Sequence, residues 1–144
     1  MTLRIVVDTN LWIRALLGGQ VTLPILTAWQ AGKFAVVVSQ PLIDELGDVW
    51  QRPRLRARIN PEDAERLLEQ LRLRGEWVEP TTVPPRCRDP KDHPVLATAI
   101  DGNADAIVSG DADLRAHDEL RTAMRQHGVA LWGIDGLLER IGVG

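Results

Sequence analysis

Short apolar runs recur along the chain, and each is bounded by polar or glycine-containing sequence. Runs of this length predict strands at residues 4–7, 34–38, 106–109 and 130–132. A further, short edge strand is predicted at residues 76–78. The first run is rich in β-branched residues and apolar on both faces, which favours a central position in a sheet.

Helical patterns fill most of the intervals between these strands. The predicted helices cover residues 11–17, 23–31, 41–50, 61–74, 93–101, a short stretch opened by residues 110–113, and 134–141. Residues 51–59 are predicted as a loop or a broken helix end, and residues 80–88 as an extended segment. Strands that alternate with helices predict an α/β fold with three layers, α/β/α, around a central parallel sheet of about four to five strands.

Composition agrees with one folded domain over residues 1–144. Hydrophobic residues make up 44% and charged residues 26%, an ordinary globular mixture. Cys87 is the only cysteine, which excludes an internal disulfide and fits a reducing, cytoplasmic setting. We find no signal peptide or membrane span in the sequence. The net charge of −3 argues against nucleic-acid binding by bulk positive charge, but it allows an acidic site with a local basic groove.

Three acids fall near one edge of the predicted sheet. Asp8 ends the first strand, and Asp111 follows the strand at residues 106–109 by two positions. Asp92 begins the helix that leads into that same strand. Ligand sites of open α/β sheets lie beyond the carboxyl ends of the strands, so this edge is the predicted functional site.

Glu45 is a fourth candidate, on the helix predicted at residues 41–50. Leu42, Leu46 and Val49 form the apolar stripe of that helix, and position 45 falls on the stripe rather than on the outer face. A carboxylate directed inward needs a partner, because an unpaired buried charge is costly. No arginine lies within the strand-end motifs, so the sequence offers no obvious fixed partner.

Several carboxylates close together repel one another unless a cation is present. Oxygen-only ligands suit Mg²⁺ or Mn²⁺. His93, His117 and His127 have no metal-ligand spacing and Cys87 stands alone, which argues against zinc.

Each acid also has an ordinary structural interpretation. Asp8 can be a turn residue at a strand end, and Asp92 and Asp111 can be helix caps. Asp113 can serve as a first-turn acid, and Glu45 as a surface acid. The functional interpretation depends on their joint pattern, which is far less expected by chance than any one member.

Four ordered motifs resemble the PIN domain family. They are Val-Val-Asp-Thr-Asn at residues 6–10, Ser-Gln-Pro-Leu-Ile-Asp-Glu-Leu at 39–46, Arg-Asp-Pro-Lys-Asp-x-x-Val-Leu-Ala-x-Ala at 88–99, and Ile-Val-Ser-Gly-Asp-Ala-Asp-Leu at 107–114. The resemblance covers essentially the whole chain and is nearest to VapC-like toxins of toxin–antitoxin pairs. The first and last motifs are moderately specific, and the ordered combination of all four is strong.

The resemblance implies acids around one or two Mg²⁺ or Mn²⁺ ions. By motif, the implied ligands are Asp8, Glu45, Asp92 and Asp111, with Asp113 as a further acid and Asn10 and Ser109 as supporting residues. Ser109 stands where the family more often has threonine, and a hydroxyl is kept. Asp89 competes with Asp92, which we prefer because an apolar helical pattern follows it.

The implied activity is hydrolysis of RNA phosphodiester bonds, leaving a 5′-phosphate and a 3′-hydroxyl, by the toxin of a type II pair. The implied partners are the RNA, a cognate antitoxin and a possible second copy of the chain. The arginine-rich run is a candidate RNA contact, with a solvated face or an antitoxin surface as alternatives; it comprises Arg52, Arg54, Arg56 and Arg58. The five tryptophans are predicted in the core or at an interface rather than stacked on bases.

Two other functions compete with this one. A magnesium-dependent phosphatase or phosphotransferase also uses a strand-end aspartate, but a phosphatase of the haloacid-dehalogenase type needs an acid where Asn10 stands. A receiver-type domain needs a lysine after a late strand, and none follows Val108 closely. A non-catalytic module that binds RNA or a partner is the third possibility.

Overall fold

The computed structural model describes residues 2–20, 22–84, 92–110 and 116–142. Within them, five parallel strands form one sheet in the order β3-β2-β1-β4-β5. The strands are β1 (Arg4–Val7), β2 (Ala35–Val38), β3 (Glu76–Trp77), β4 (Ala106–Val108) and β5 (Ala130–Trp132). The first strand is therefore central, as its two apolar faces predict.

Eight helices connect or flank these strands in the described residues. They are α1 (Thr9–Leu16), α2 (Leu23–Gln30), α3 (Gln40–Trp50), α4 (Pro53–Arg56), α5 (Pro61–Arg74), α6 (His93–Asp101), α7 (Asp118–Gln126) and α8 (Ile134–Arg140). None of the helices in this part of the chain is long and apolar enough to cross a membrane.

Successive side chains of the strands point to opposite faces of the sheet and form two hydrophobic clusters, one on each face. Ile5 and Val7 of β1 pack with side chains of α1, α2, α3 and α5, whereas Val6 packs with α6 and α7. Ile107 of β4 joins Val6 on the second face, and Val108 joins the first. A strand turns successive side chains to opposite faces, so this division makes three layers and confirms the predicted α/β/α fold.

Several element boundaries differ from the sequence predictions. Helix α1 begins at Thr9, two residues before the predicted start, so Asp8 is directly joined to a helix. The segment predicted as a loop or broken helix end contains the one-turn helix α4. Proline suits the first position of a helix, because its fixed φ is helical and the backbone N–H that it lacks would have no acceptor within the helix. Pro53 therefore begins this turn. The short helix predicted from Gly110 lies mostly outside the described ranges, and residues 85–88 of the extended segment lie wholly outside them.

Helix α7 was missed by the sequence prediction. Its signals were present: Leu120 and Met124 are four residues apart and fully buried, and two acids occupy the first turn. His117 caps the helix, because its Nδ1 accepts a hydrogen bond from Leu120 N–H at 3.0 Å. Histidine is not among the usual caps, which hid the start of the helix.

Asp101, at the end of α6, forms hydrogen bonds with residues 81 and 82 on the side of the sheet that α6 covers. Its Oδ2 accepts hydrogen bonds from the backbone N–H groups of Thr81 at 2.6 Å and Thr82 at 2.9 Å. Its Oδ1 accepts a hydrogen bond from the Thr82 hydroxyl. These donors, the Thr82 hydroxyl foremost, hold the pKa of Asp101 below its ordinary value.

Asp101→Asn is expected to lower the free energy of unfolding by about 1 kcal/mol near neutral pH, because hydrogen bonds to a charged acceptor are lost. The folded-state pKa is depressed, so the contribution of the carboxylate is present above the unfolded pKa and is lost as pH falls through the folded pKa. Urea denaturation at about pH 6 and about pH 3 should therefore show the difference between the two proteins shrinking in acid. An equal difference at both pH values would contradict this role.

Candidate metal centre at the carboxyl edge of the sheet

Asp8 stands at the junction of β1 and α1. Its backbone N–H continues the sheet by donating to the Val108 carbonyl at 3.0 Å, and its side chain is only 8% exposed. The carboxylate makes no capping bond to the first turn of α1. Instead, Ser109 Oγ donates to Asp8 Oδ2 at 2.9 Å in a buried contact. The paired strands β1 and β4 thus bring Asp8 and Ser109 together from 101 positions apart.

Glu45 lies half-buried on α3, which packs against α1. The hydroxyl of Thr9 donates to Glu45 Oε2 at 3.2 Å. Since Thr9 follows Asp8 directly, this contact brings Glu45 to the end of β1. Asp44 and Asp48 on the same helix are exposed, as the apolar stripe predicts.

Asp92 occupies the N-cap position of α6, but its side chain makes no capping hydrogen bond there. The simple capping role is therefore not what this geometry shows. Pro94, two residues further, lines a pocket with Glu45 and Arg52 that has a volume of about 370 Å³. The start of α6 and the acidic side of α3 consequently face the same pocket.

A buried pair of hydroxyls fixes α3 against α6. Ser39 Oγ and Thr98 Oγ1 are 2.8 Å apart, and both residues have no exposed surface. Thr98 Oγ1 donates to the Pro94 carbonyl at 2.6 Å, so the Ser39 hydroxyl is the donor to Thr98. Ser39 precedes α3 at the N-cap position, but its hydroxyl makes no capping hydrogen bond and instead contacts Thr98. This link sets the spacing between the helices that carry Glu45 and Asp92.

Thr98→Val is expected to lower the free energy of unfolding by about 1–3 kcal/mol, because it leaves the Ser39 hydroxyl buried without an acceptor. Adding Ser39→Ala should recover part of that loss, since both polar partners are then absent. Thermal or urea denaturation of the two single variants and the double variant measures the coupling. Additive losses would show that the two hydroxyls do not act as a pair.

The remaining acids of the predicted site lie outside the described residues: Asp111, Asp113 and the competing Asp89. Among the residues that are described, no group of three or more histidine, cysteine, aspartate or glutamate side chains is close enough to hold a metal ion. Asn10 lies in the first turn of α1 and is exposed, next to the Thr9–Glu45 contact.

Arg14 is a neighbour of this edge that the sequence did not reveal. A Cβ placed on Gly110 would lie 2.6 Å from Arg14 Nη1 and 3.2 Å from a methyl of Leu11. The guanidinium of Arg14 therefore lies over Gly110, the residue after Ser109, and a side chain at position 110 would displace it. Arg14 follows Asp8 by six positions, and nothing in the local pattern indicates that it folds back toward β4.

The other candidate residues divide between surface and core. All four arginines of the run are exposed, and Arg52 is the one that lines the pocket containing Glu45. Trp12, Trp29 and Trp50 are buried, while Trp77 is 45% exposed on an edge strand. The core prediction for the tryptophans therefore holds for these three.

The described groups at this edge fit a hard divalent cation. The potential metal ligands described at this edge are all oxygen atoms: the carboxylates of Asp8 and Glu45 and the hydroxyls of Thr9 and Ser109. Magnesium and manganese prefer such ligands, whereas zinc prefers nitrogen and sulfur. The carboxylate of Asp8 is nearly buried, and a bound cation would stabilise its charge in that poorly solvated position.

A parallel three-layer fold with carboxylates beyond the ends of its strands defines an α/β protein with an acidic site at the edge of its sheet. The PIN domain family matches residues 4–113, more than half of the chain, and the chain belongs to that family. PIN domains are generally nucleases that use divalent metals, which supports a metal-dependent nuclease. A search of curated proteins found no match.

Proposed function

We propose that this chain is an endoribonuclease dependent on Mg²⁺ or Mn²⁺, and the toxin of a type II toxin–antitoxin pair. The observation that carries the proposal is the Asp8 carboxylate, held at the end of the central strand by Ser109 at 2.9 Å and nearly buried. Family membership supports the nuclease activity. RNA as the substrate and the role as a toxin are proposed in addition.

In this proposal the metal ligands are acids from four separate segments: Asp8, Glu45, Asp92 and Asp111, with Asp113 as a further acid. Ser109 orients Asp8 through its hydroxyl, Thr9 orients Glu45, and Asn10 supports the first motif. When bound, the metal supplies Lewis acidity that activates water and offsets charge on the phosphate.

Positive charge beside the acids would hold the RNA backbone. Arg14 covers Gly110 next to Ser109, and Arg52 lines the pocket with Glu45. Guanidinium groups bind phosphate oxygens with paired hydrogen bonds, so these two residues flank the proposed cleavage position with suitable donors. Arg54, Arg56 and Arg58 extend the same run along the exposed surface.

The proposed protein partners are a cognate antitoxin and, as an option, a second copy of the chain, in the cytoplasm where the RNA lies. A largely apolar pocket on α2, with a volume of about 560 Å³, is lined by Leu23, Pro24 and Ala28. Apolar surface of this kind is typical of protein interfaces, which supports a docking role for the α1–α2 region.

Incubation of the purified protein with total RNA, with Mn²⁺ or with a chelator, tests the activity. The proposal predicts new 5′-phosphate ends with Mn²⁺ and none with chelator, mapped by ligation to the 5′ ends. Cleavage that persists in chelator, or hydrolysis of small phosphoesters without RNA cleavage, would contradict it and favour a different α/β enzyme. RNA binding without cleavage in any metal would favour the non-catalytic module.

A further inference from the structure

A second charged pocket lies between α7, β5 and α8, along the edge strand of the sheet. Its volume is about 400 Å³, and three guanidinium side chains line it together with one indole. Arg121 and Arg125 come from α7, Arg140 from α8, and Trp132 from the end of β5. None of these four residues belongs to the proposed metal site.

The pocket carries an excess of positive charge on a chain whose net charge is −3. The one acid in its lining is Asp105, whose Oδ2 already accepts a hydrogen bond from the backbone N–H of Arg4 at 2.9 Å. The ion pairs found across the described ranges involve Arg4 and Arg66, and none involves Arg121, Arg125 or Arg140. Three arginines without a carboxylate partner in this part of the structure complement a polyanion.

Arg140 and Trp132 form a preorganised flat surface in this pocket. The guanidinium carbon of Arg140 lies 4.0 Å from the centroid of the Trp132 ring, and Nη1 donates to the Gly136 carbonyl at 3.0 Å. The stacking and the hydrogen bond together hold the guanidinium plane against the indole. Aromatic and guanidinium planes are the surfaces on which unpaired bases stack in single-stranded nucleic-acid sites.

The pocket extends along β5, from Asp105 and Gly128 before the strands begin to Trp132 at the acidic carboxyl edge of the sheet. The Trp132 carbonyl accepts a hydrogen bond from Ser109 N–H at 3.0 Å, and Ser109 is the residue that holds Asp8. Neighbouring strands are about 4.8 Å apart, which puts β5 about 10 Å from β1. A strand of RNA with its reacting phosphate near Asp8 therefore reaches Trp132 first, and its further nucleotides continue along β5 and α7.

We propose that this pocket binds the flank of a single-stranded RNA substrate, with backbone phosphates on Arg121 and Arg125 and a base on the Trp132–Arg140 surface. The inference rests on the proposed function, because it assigns a further contact to the same RNA. It differs from the arginine run at residues 52–58, which lies on α4 and its neighbours. An acidic peptide is the rival occupant, and the test includes it.

Binding is measured by fluorescence anisotropy of a labelled single-stranded oligouridine on the full chain, in chelator, across a series of salt concentrations. Arg121→Gln/Arg125→Gln is compared with Arg66→Gln/Arg72→Gln, which changes the charge equally on exposed positions of α5. The first pair is expected to raise Kd roughly tenfold at low salt. It should also flatten the slope of log K against log salt by about 1.4, since each phosphate contact on a single strand contributes about 0.7.

Trp132→Leu tests the stacking surface, with Trp132→Phe as the conservative variant. Loss of base stacking is expected to raise Kd by roughly tenfold in the leucine variant, and the phenylalanine variant should recover most of it. Far-ultraviolet circular dichroism and thermal denaturation confirm that both variants fold. Equal weakening in the two variants would overturn the assignment of a base to this ring.

The outcomes separate this inference from the proposed function. Unchanged RNA affinity and slope in the α7 variant overturn the inference, even if the protein cleaves RNA with Mn²⁺. Weakened RNA binding through Arg121 and Arg125 supports the inference, even if no metal gives cleavage. Binding of labelled oligoglutamate that depends on these two arginines, with RNA binding unaffected, assigns the pocket to an acidic peptide and overturns it as well.

Discussion

Asp8→Asn is expected to reduce metal-dependent RNA cleavage by about 10³-fold, which corresponds to about 4 kcal/mol of lost transition-state stabilisation. Asparagine keeps an oxygen that accepts the Ser109 hydrogen bond, so the junction of β1 and α1 stays intact. It removes the charge that attracts the cation, and a neutral amide is a poor substitute for carboxylate around Mg²⁺. Single-turnover cleavage of a labelled RNA at saturating Mn²⁺ measures the loss.

The same variant also separates metal binding from folding. A ligand that binds the folded state stabilises it, by about 2.7 kcal/mol at a concentration one hundred times Kd. Mn²⁺ should therefore raise the Tm of the native protein and leave that of Asp8→Asn nearly unchanged. Asp63→Asn, at a half-exposed position on α5, is the matched control and should keep both the cleavage and the Mn²⁺ shift. Full cleavage by Asp8→Asn would show that the site is assigned wrongly.

Trp29→Ala is expected to have the largest effect on stability, lowering the free energy of unfolding by about 3–5 kcal/mol. Trp29 is 2% exposed in the core on the side of the sheet that α1 and α2 cover, and its ring centroid lies 5.5 Å from that of Trp12. The Arg74 guanidinium covers the ring at 5.1 Å from its centroid. Because natural domains have only about 5–15 kcal/mol of stability, this one substitution removes a large share of it.

Trp77→Ala is the matched control, because the same atoms are removed from a position that is 45% exposed. Its Nε1 donates one hydrogen bond to the Arg72 carbonyl, so a loss of about 1 kcal/mol is expected. Urea denaturation followed by circular dichroism gives both values. Equal losses in the two variants would contradict the placement of Trp29 at the centre of the core.

The sequence was sufficient for the elements whose patterns are strong. The β-branched strands β1, β2 and β4 are continuous apolar runs, and the start of α5 has a cap, a proline and first-turn acids in order. Asn60 caps that helix, because its side-chain oxygen accepts a hydrogen bond from Glu62 N–H at 2.8 Å. The alternation of these elements was enough to predict a parallel sheet with helices on both faces.

The sequence could not predict contacts that join distant segments. The pattern indicated that Glu45 faces inward, but not that Thr9 would be its hydrogen-bond donor. Arg14 over Gly110 and the Ser39–Thr98 pair depend on how helices pack against the sheet, which no local spacing encodes. The basic pocket was missed for the same reason, since its arginines come from two helices and its indole from a strand.

Anomalous diffraction from crystals soaked in manganese is the direct test of a metal site at Asp8. A peak is expected within about 2.5 Å of a carboxylate oxygen of Asp8, with at least one of the other proposed acids also bound to the ion. A data set with no peak beside Asp8, or with the only strong peak on another surface, would contradict a metal-dependent nuclease site at this edge of the sheet.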